Sequence, residues 1–246
     1  MIKRILPDGN IYYYPKNHYG FDAEKIDILI DEIYNPNNPH YYEKYYNLEK
    51  GMIVVDAGAY TGLFTLKASK IIGPSGLVFA LEPFKPSYNI LKYNITKNKC
   101  TNVVLLNKGL GNKEGWYKLI VRNKYIGASI LKYSKNNLKN IFLYLYLFYL
   151  SLKNQIIFSN VKLTTIDNMM IKYNLKKIDF LKLDVEGYET EVLKAYNKIN
   201  KKNILVLETH NNLEKILYIL LNKGYKMNNT YIIPINNLYS IVHTKL

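Results

Sequence analysis

Short apolar runs alternate with amphipathic segments along most of the chain. Residues 53–55 and Leu77–Leu81 are apolar throughout, which is typical of strands buried on both faces of a parallel sheet. Between them, Leu63–Ile72 carries apolar residues at helical spacing. This alternation predicts βαβ units with right-handed crossovers. It continues with a helix at 86–97, a strand at 103–106, a strand at 178–183, a helix at 189–196, a strand at 204–207 and a helix at 213–222.

Two stretches interrupt this alternation, residues 1–50 and residues 116–160. The first fifty residues are polar, Tyr-rich and broken by Pro, and we expect them to cover a core that begins at residue 52. Two apolar runs near the end of the chain predict a hairpin that adds an antiparallel edge strand to the sheet. With no repeat and no change in composition, the chain is predicted to be a single α/β domain, residues 1–246. It divides into the cover (1–50, with a helix at 22–34), the sheet core (52–115 and 161–246, with the hairpin at 231–233 and 239–242) and an insertion (116–160).

The insertion contains ten consecutive apolar or aromatic residues, 141–150. A membrane-spanning helix needs about 20, so this run is too short to cross a bilayer. We expect a helix that packs on the N-terminal cover or on a second copy in a homo-oligomer. Peripheral contact of 141–150 with a membrane surface is the alternative.

The formal net charge of +15 could attract RNA, an anionic membrane or a phosphate-bearing substrate. Lys, Asn, Ile and Tyr are abundant together, however, and the basic residues form no dense block. A biased base composition of the gene accounts for this, and nucleic acid is not the expected partner. Cys100 is the single cysteine, and the N-terminus lacks the apolar segment of a signal peptide, so we predict a cytoplasmic protein.

A glycine-bearing turn follows the first buried strand. Asp56 ends the strand, Gly58 and Gly62 let the backbone approach a ligand closely, and a helix begins near Thr61. The spacing Gly-x-x-x-Gly differs from the Gly-x-Gly-x-x-Gly of dinucleotide sites, which disfavours an NAD-dependent oxidoreductase. The carboxylate of Asp56 suits a ligand that carries an ammonium group.

Glu82 ends the next strand, where an acidic side chain can accept both hydroxyls of a ribose. Pro83 and Phe84 beside it offer an apolar face to an adenine ring. The turn and Glu82 together predict a nucleoside-bearing cofactor, without distinguishing S-adenosylmethionine from NAD.

Three carboxylates, Asp184, Glu186 and Glu189, follow a strand whose one charged interior residue is Lys182. Like charges this close raise one another's pKa, which suits a general acid or base. The alternative is that they are acids favoured by a helix dipole. That alternative fits Glu189 and Glu186 better than Asp184, which ends a buried strand.

The following strand ends with Glu208 and His210, which we expect near Asp184. His210 is a candidate base near neutral pH. Alternatively, Asp184 and Glu208, with His210 or Asn211, could hold a divalent cation, although no tight metal-binding motif supports this. The other histidines are predicted to be structural: His18, His40 and His243.

Taken together, these segments resemble the FkbM family of class I methyltransferases. The resemblance implies a Rossmann-like, seven-stranded, mostly parallel sheet with helices on both faces, and S-adenosylmethionine as the cofactor. Two features depart from the family pattern: the family commonly has Asn where Tyr60 stands, and 141–150 has no counterpart. The matching segments are 55–62, 80–83, 107–111, 127–129, 164–167 and 179–189.

The resemblance also implies roles for individual residues. The methionine end of the cofactor would lie against Asp56, Gly58, Tyr60, Thr61 and Gly62, and Glu82 would bind the ribose. The adenine would be flanked by Asn107, Lys108, Gly109 and Leu110.

The predicted reaction is methyl transfer to a hydroxyl of a sugar, a glycan or a related small acceptor, including a lipid-linked one. Asp184 or His210 would be the base, and Glu186 and Glu208 would orient the acceptor. Two alternatives stay open: an RNA methyltransferase that uses the basic surface, and a non-catalytic protein that binds the cofactor.

Overall fold

The structure is a computed structural model that describes residues 1–16, 23–122, 128–130, 137–153, 155–200 and 202–246. Its strands are β1 (Ile2–Ile5), β2 (Ile11–Tyr14), β3 (Ile53–Ala57), β4 (Leu77–Leu81), β5 (Val103–Leu106), β6 (Gly109–Leu110), β7 (Gly115–Arg122), β8 (Ala128–Ile130), β9 (Ile156–Thr164), β10 (Phe180–Leu183), β11 (Ile204–His210), β12 (Thr230–Pro234) and β13 (Tyr239–Lys245). Its α-helices are α1 (Ala23–Tyr34), α2 (Leu63–Ile72), α3 (Lys85–Lys97), α4 (Asn137–Leu152), α5 (Ile166–Lys172), α6 (Glu189–Ala195) and α7 (Leu213–Asn222).

The main sheet has seven strands in the order β12-β13-β11-β10-β3-β4-β5. The five strands from β11 to β5 are parallel, and β13 runs antiparallel to both β11 and β12. The predicted seven-stranded, mostly parallel sheet is thereby confirmed, and so is the C-terminal hairpin at its edge. Within that hairpin the inner strand is β13, and β12 forms the edge itself.

Two apolar cores lie on opposite faces of this sheet, because neighbouring residues of each strand point to opposite sides. On β3, Val54 packs towards α2 and α3, whereas Val55 packs towards α5, α6 and α7. Both valines are fully buried. The continuous apolar runs in the sequence are therefore explained by helices on both faces.

A second sheet, with the order β6-β9-β7-β8, occupies most of the predicted insertion. One face of it belongs to the main core through Leu119, Val161 and Leu163. Helix α4 packs on the opposite face, where Leu147 contacts Ile156. The sequence predicted that a helix at 141–150 packs on the N-terminal cover or on a second copy of the chain. The described part of α4 packs on this sheet and not on the cover, and contact with a second copy stays a prediction.

The N-terminal cover lies against α2 and α3. Asn94 of α3 accepts a hydrogen bond from the backbone N–H of Tyr13 at 2.7 Å and donates one to its carbonyl at 2.9 Å, which fixes the hairpin of β1 and β2. The Lys67 ammonium of α2 donates to the carbonyl of Ile33 at the end of α1 at 2.8 Å. It also forms a buried ion pair with Glu43. These contacts bring the segment after α1 to the carboxyl ends of the parallel strands.

Among the described helices, none is both long enough and apolar enough to cross a bilayer.

Candidate active site

A cavity of about 400 Å³ opens at the carboxyl ends of β3, β4, β10 and β11. This edge is where open α/β sheets bind their ligands, and the volume lies within the range of small-molecule sites. Four parts of the chain line it: the glycine turn after β3, the strand tips, the inner face of the second sheet, and the N-terminal cover. Eleven of the predicted site residues line this cavity: Gly58, Tyr60, Thr61, Gly62, Glu82, Pro83, Gly109, Leu110, Asp184, Glu186 and Glu208.

The glycine turn is held from beneath by Asp56, which is fully buried. Thr65 donates to its Oδ2 at 2.6 Å, and the ammonium of Lys182 lies 3.1 Å from its Oδ1. The carboxylate is thus engaged inside the protein and is not among the cavity-lining groups. Asp56 positions the turn; the predicted direct contact with an ammonium group of the ligand is not what this geometry favours.

Glycine is required at position 58 for two reasons. Its φ of +79° is a left-handed conformation, and a Cβ there would lie 1.8 Å from the backbone oxygen of Asp184. The turn after β3 therefore packs directly on the tip of β10. This close approach places Asp184, the central candidate for catalysis, next to the glycine turn after β3, which we call the cofactor turn.

Glu82 connects the turn to the next strand tip. Its Oε2 accepts the backbone N–H of Tyr60 at 2.9 Å, and its Oε1 accepts that of Phe84 at 2.8 Å. Burial raises the pKa of Glu82 to about 8, although both backbone donors act to lower it. Tyr60 itself has a φ of 49°, which non-glycine residues adopt rarely and Asn adopts more readily.

The predicted adenine-side residues separate into two groups. Gly109 and Leu110 line the cavity together with Pro83. Asn107 lies behind them and donates to the carbonyls of Glu82 at 2.9 Å and Pro83 at 3.1 Å, so it shapes the strand tip. Lys108 does not line the cavity; it borders a separate one on the other side of β6, next to Glu114 and Tyr173.

The acceptor end of the cavity is the part lined by Asp184, Glu186 and Glu208. Lys182 is buried beneath it. Its ammonium donates to the carbonyl of Gly58 at 2.9 Å and lies 3.6 Å from Oδ2 of Asp184. Burial acts to lower the pKa of Lys182, but the negative charges of Asp56 and Asp184 outweigh it and raise the pKa above its ordinary value. A charged Lys182 therefore links the cofactor turn to Asp184.

Two residues of the N-terminal cover reach the same site. The hydroxyl of Tyr42 lies 3.3 Å from Oδ2 of Asp184 and 3.1 Å from Oε1 of Glu208. Nδ1 of His40 lies 3.3 Å from the same Glu208 oxygen. His40 was predicted to be structural, and the structure corrects this, because it lines the cavity. Tyr42 was missed altogether, since no motif connects it with residues more than a hundred positions away.

The carboxyl groups of Asp184 and Glu208 differ in their ionisation. Burial raises the pKa of Asp184, and the charge of Glu208 raises it further, against the opposing effect of Lys182. Burial also acts to raise the pKa of Glu208, but the hydrogen bond and charge of His40 outweigh it and lower the pKa. Of the pair, Glu208 is the more acidic, and Asp184 is the group able to exchange a proton near neutral pH.

His210 does not line the cavity. Its Nδ1 lies 3.0 Å from Oε1 of the fully buried Glu189, and its Nε2 lies 3.5 Å from Oε2 of Glu186. Burial acts to lower the pKa of His210, but these carboxylates outweigh it and raise the pKa to about 9. Because a protonated imidazole cannot accept a proton, the geometry does not favour the prediction that His210 is the base.

Ligand atoms of Asp184, Glu208 and His210 lie within 4.8 Å of one another, which is the spacing of a metal site. A cation there would have to displace the proton that Glu186 and Glu189 hold on His210. The residues therefore fit a hydrogen-bonded network better than a metal site.

Comparison with known proteins gives two relevant matches by sequence and two by structure. Residues 56–227 match the family model described as the methyltransferase FkbM domain. Methyltransferase sdnD from Sordaria araneosa is 25% identical over 205 residues, which cover 74% of this chain and 73% of that protein. The match to the family model spans the cofactor turn, both candidate carboxylates and the second sheet, and begins after the N-terminal cover.

Among solved structures, a methyltransferase FkbM from Methylobacillus flagellatus is similar with a TM-score of 0.51 and 13% identity, over 92% of this chain and 56% of that one. A SAM-dependent methyltransferase from Aquifex aeolicus has a TM-score of 0.48 and 16% identity, over 92% of this chain and 98% of that one. At this level of identity, the first of these likenesses speaks for the fold alone.

Proposed function

This chain belongs to the FkbM family of S-adenosylmethionine-dependent methyltransferases, and from that premise we propose that it methylates a hydroxyl of a sugar, a glycan or a related small acceptor. The observation that carries the proposal is the position of Asp184. Its carboxyl lies on the cavity wall beside the cofactor turn, within reach of Tyr42, and burial raises its pKa to about 8. A hydroxyl acceptor needs such a group, because it must lose a proton when its oxygen is methylated.

The cofactor end of the cavity fits an adenosine-bearing ligand. Glu82 lines the cavity, and each of its carboxylate oxygens keeps a second acceptor position beyond the backbone bond that it makes. Pro83, Gly109 and Leu110 form an apolar wall beside it. When bound, S-adenosylmethionine supplies a methyl group already activated on a sulfonium, so the protein has to align the reactants and accept one proton.

The proton of the acceptor hydroxyl passes to the ionised Asp184 carboxylate as the oxygen gains its methyl group. Lys182 keeps this carboxylate in place from below, and the Tyr42 hydroxyl approaches it from the cover. Glu208, held ionised by His40, is left to accept a hydrogen bond from the acceptor. His210 orients Glu186 from behind.

The charge of the acceptor end favours a neutral, hydroxyl-rich acceptor. Four carboxyl groups line it together with three basic groups: Glu32, Asp184, Glu186 and Glu208, and Lys25, His40 and Lys182. His40 is already paired with Glu208, and Lys182 with Asp56 and Asp184. A phosphate would have to compete with these carboxylates for the two cations, at a cost of about 1–4 kcal/mol for each like-charge pair that it forms. The lining of the cavity therefore disfavours RNA as the acceptor, even though the basic outer surface could attract RNA.

The proposal can be tested with S-adenosylmethionine carrying a radiolabelled methyl group, incubated with polysaccharide, lipid, small-metabolite and RNA fractions of the organism that encodes the protein. We expect base-resistant label, as in a methyl ether, in a polysaccharide, lipid or small-metabolite fraction. Label confined to RNA would contradict the proposed acceptor class.

On the acceptor thus found, Asp184→Asn should lower turnover about 100-fold or more, the usual contribution of a general base. Binding of S-adenosylhomocysteine, measured by calorimetry, should change little. Asp27→Asn is the matched control, because Asp27 is exposed on α1 and pairs only with Arg4 among the ion pairs described. Full activity of Asp184→Asn would rule out Asp184 as the base.

A further inference from the structure

The outer face of the second sheet, together with α4, carries a cluster of large apolar side chains in contact with solvent. We propose that this face, which we call the aromatic face, docks on an anionic lipid membrane. Monomeric proteins rarely leave a continuous apolar surface of this kind uncovered. Its exposed members are Trp116, Leu145, Tyr146, Phe148, Tyr149, Leu152 and Phe158.

Strand geometry places these residues on one surface. Trp116 and Ile120 lie on the same side of β7, since they are four residues apart, and Phe158 of β9 is paired with Ile120. Ile120 in turn packs against Leu147 and Ile156, the contact that seats α4 on the sheet. The exposed side of α4 and the exposed end of the sheet are therefore continuous.

The charge of this part of the chain is entirely of one sign. Between Glu114 and Asp167 the sequence has no acidic residue, but it has eight basic ones: Lys118, Arg122, Lys124, Lys132, Lys135, Lys139, Lys153 and Lys162. Of these, Lys118, Lys153 and Lys162 are exposed, and the first and last share the outer face of the sheet with Trp116. Basic residues beside exposed aromatic and leucine side chains are the combination that binds anionic lipid surfaces.

The same charge decides between the possible occupants. A second copy of the chain would bring an equally basic surface against this one, and the two would repel each other. Nucleic acid would neutralise the positive charge, but it offers Leu145, Phe148 and Leu152 no apolar environment. A membrane interface accommodates both the positive charge and the apolar side chains, because anionic headgroups neutralise the lysines and the acyl region takes up the apolar side chains.

Docking in this way would also orient the active site. The opposite face of the second sheet supplies Leu119, Val121 and Leu163 to the wall of the cavity. The cavity would then lie about 10 Å behind the membrane contact at Trp116, and about 10 Å further behind it where α4 covers the sheet. If the proposed function holds, this favours acceptors presented on a lipid; the docking itself does not depend on the reaction.

Trp116 makes the proposal directly measurable, because it is the single tryptophan and it is 72% exposed on the aromatic face. We expect its fluorescence to shift to shorter wavelength with vesicles of phosphatidylcholine mixed with phosphatidylserine. Vesicles of phosphatidylcholine alone should bind more weakly, and added salt should weaken the binding to the anionic vesicles.

The double variant Phe148→Ser/Leu152→Ser should reduce binding to the anionic vesicles about tenfold or more, since each side chain loses its transfer into the lipid. Tyr218→Ser, an equally exposed aromatic on α7, should bind like the unchanged protein. Thermal melting of each variant, with and without S-adenosylhomocysteine, establishes that folding and the cofactor site are intact.

Three results would overturn the proposal. The first is an unshifted Trp116 spectrum with no co-sedimentation on either vesicle. The second is a dimer by light scattering that the double variant turns into a monomer. The third is a spectral shift with RNA that exceeds the shift with anionic vesicles.

Discussion

At the scale of single residues, the acid–base state of the cofactor end can be tested without knowing the acceptor. Glu82 has a pKa raised to about 8 by burial. Hydroxyl donors of a ribose would stabilise the ionised form, so cofactor binding should lower this pKa and release a proton. The affinity for S-adenosylhomocysteine should therefore rise as the pH increases from about 6 to 9.

Calorimetry in buffers of different ionisation enthalpy measures both the affinity and the proton release. Glu82→Gln should bind S-adenosylhomocysteine roughly 10- to 100-fold more weakly at pH 9, the value of hydrogen bonds to a charged acceptor. Its affinity should also be nearly independent of pH. An unchanged pH dependence in Glu82→Gln would assign the proton to another group.

The residues that sequence reasoning identified at this scale are those next to recognisable strand ends. Glu82 and Asp184 each follow an apolar run, and both line the cavity. Tyr42 could not be identified in this way, because its hydroxyl meets Glu208 across 166 positions of the chain. Such a contact follows from the docking of the N-terminal cover, which no local pattern in the sequence specifies.

At the scale of secondary-structure elements, the joint between the β3 turn and the tip of β10 is the most constrained feature. Gly58→Ala would place a Cβ 1.8 Å from the Asp184 backbone oxygen, and backbone can yield only by separating the two strand ends. We expect a loss of stability of about 3 kcal/mol or more, and a large loss of cofactor affinity.

Gly73→Ala is the matched control for this prediction. Gly73 also has a positive φ, of +66°, but a Cβ there meets nothing within 4 Å. With a ψ of −174° this is a conformation that almost only glycine adopts, so its replacement should cost the conformational strain, about 1–3 kcal/mol, and leave cofactor affinity unchanged. Equal effects of the two substitutions in denaturant unfolding would show that conformation, and not the contact with β10, is what Gly58 provides.

Elements with continuous apolar runs were predicted well, whereas the second sheet was not. Strands β7 and β9 are antiparallel and carry Lys and Asn on an outer face, so their pattern resembles an irregular insertion. Their apolar positions, such as Leu119 and Val161, alternate as half-buried strands require.

At the scale of the whole molecule, the two ends of the cavity draw on different parts of the chain. The cofactor end is built from residues 58–110, within the region that matches the family model. The acceptor end adds Glu32, His40 and Tyr42 from the cover, which precedes that region. We therefore expect the docking of the cover to affect methyl transfer more than cofactor binding.

Lys67 is the residue through which this expectation can be tested, because its ammonium lies between Ile33 and Glu43, on both sides of Tyr42 in the sequence. Lys67→Met leaves the buried Glu43 carboxylate without this partner, which should cost about 3 kcal/mol of stability. It should also lower turnover at least about tenfold, since Tyr42 and His40 lose their fixed positions.

The affinity of Lys67→Met for S-adenosylhomocysteine, measured well below the melting temperature, should stay within about twofold of that of the unchanged protein, because no cofactor-end residue contacts Lys67 among the contacts described. Replacing Glu43 by Leu in the same protein should restore much of the stability, and Lys92→Met, on the exposed side of α3, should change neither property. A parallel loss of cofactor binding and turnover in Lys67→Met would show that the cover supports the cavity as a whole and does not serve the acceptor end alone.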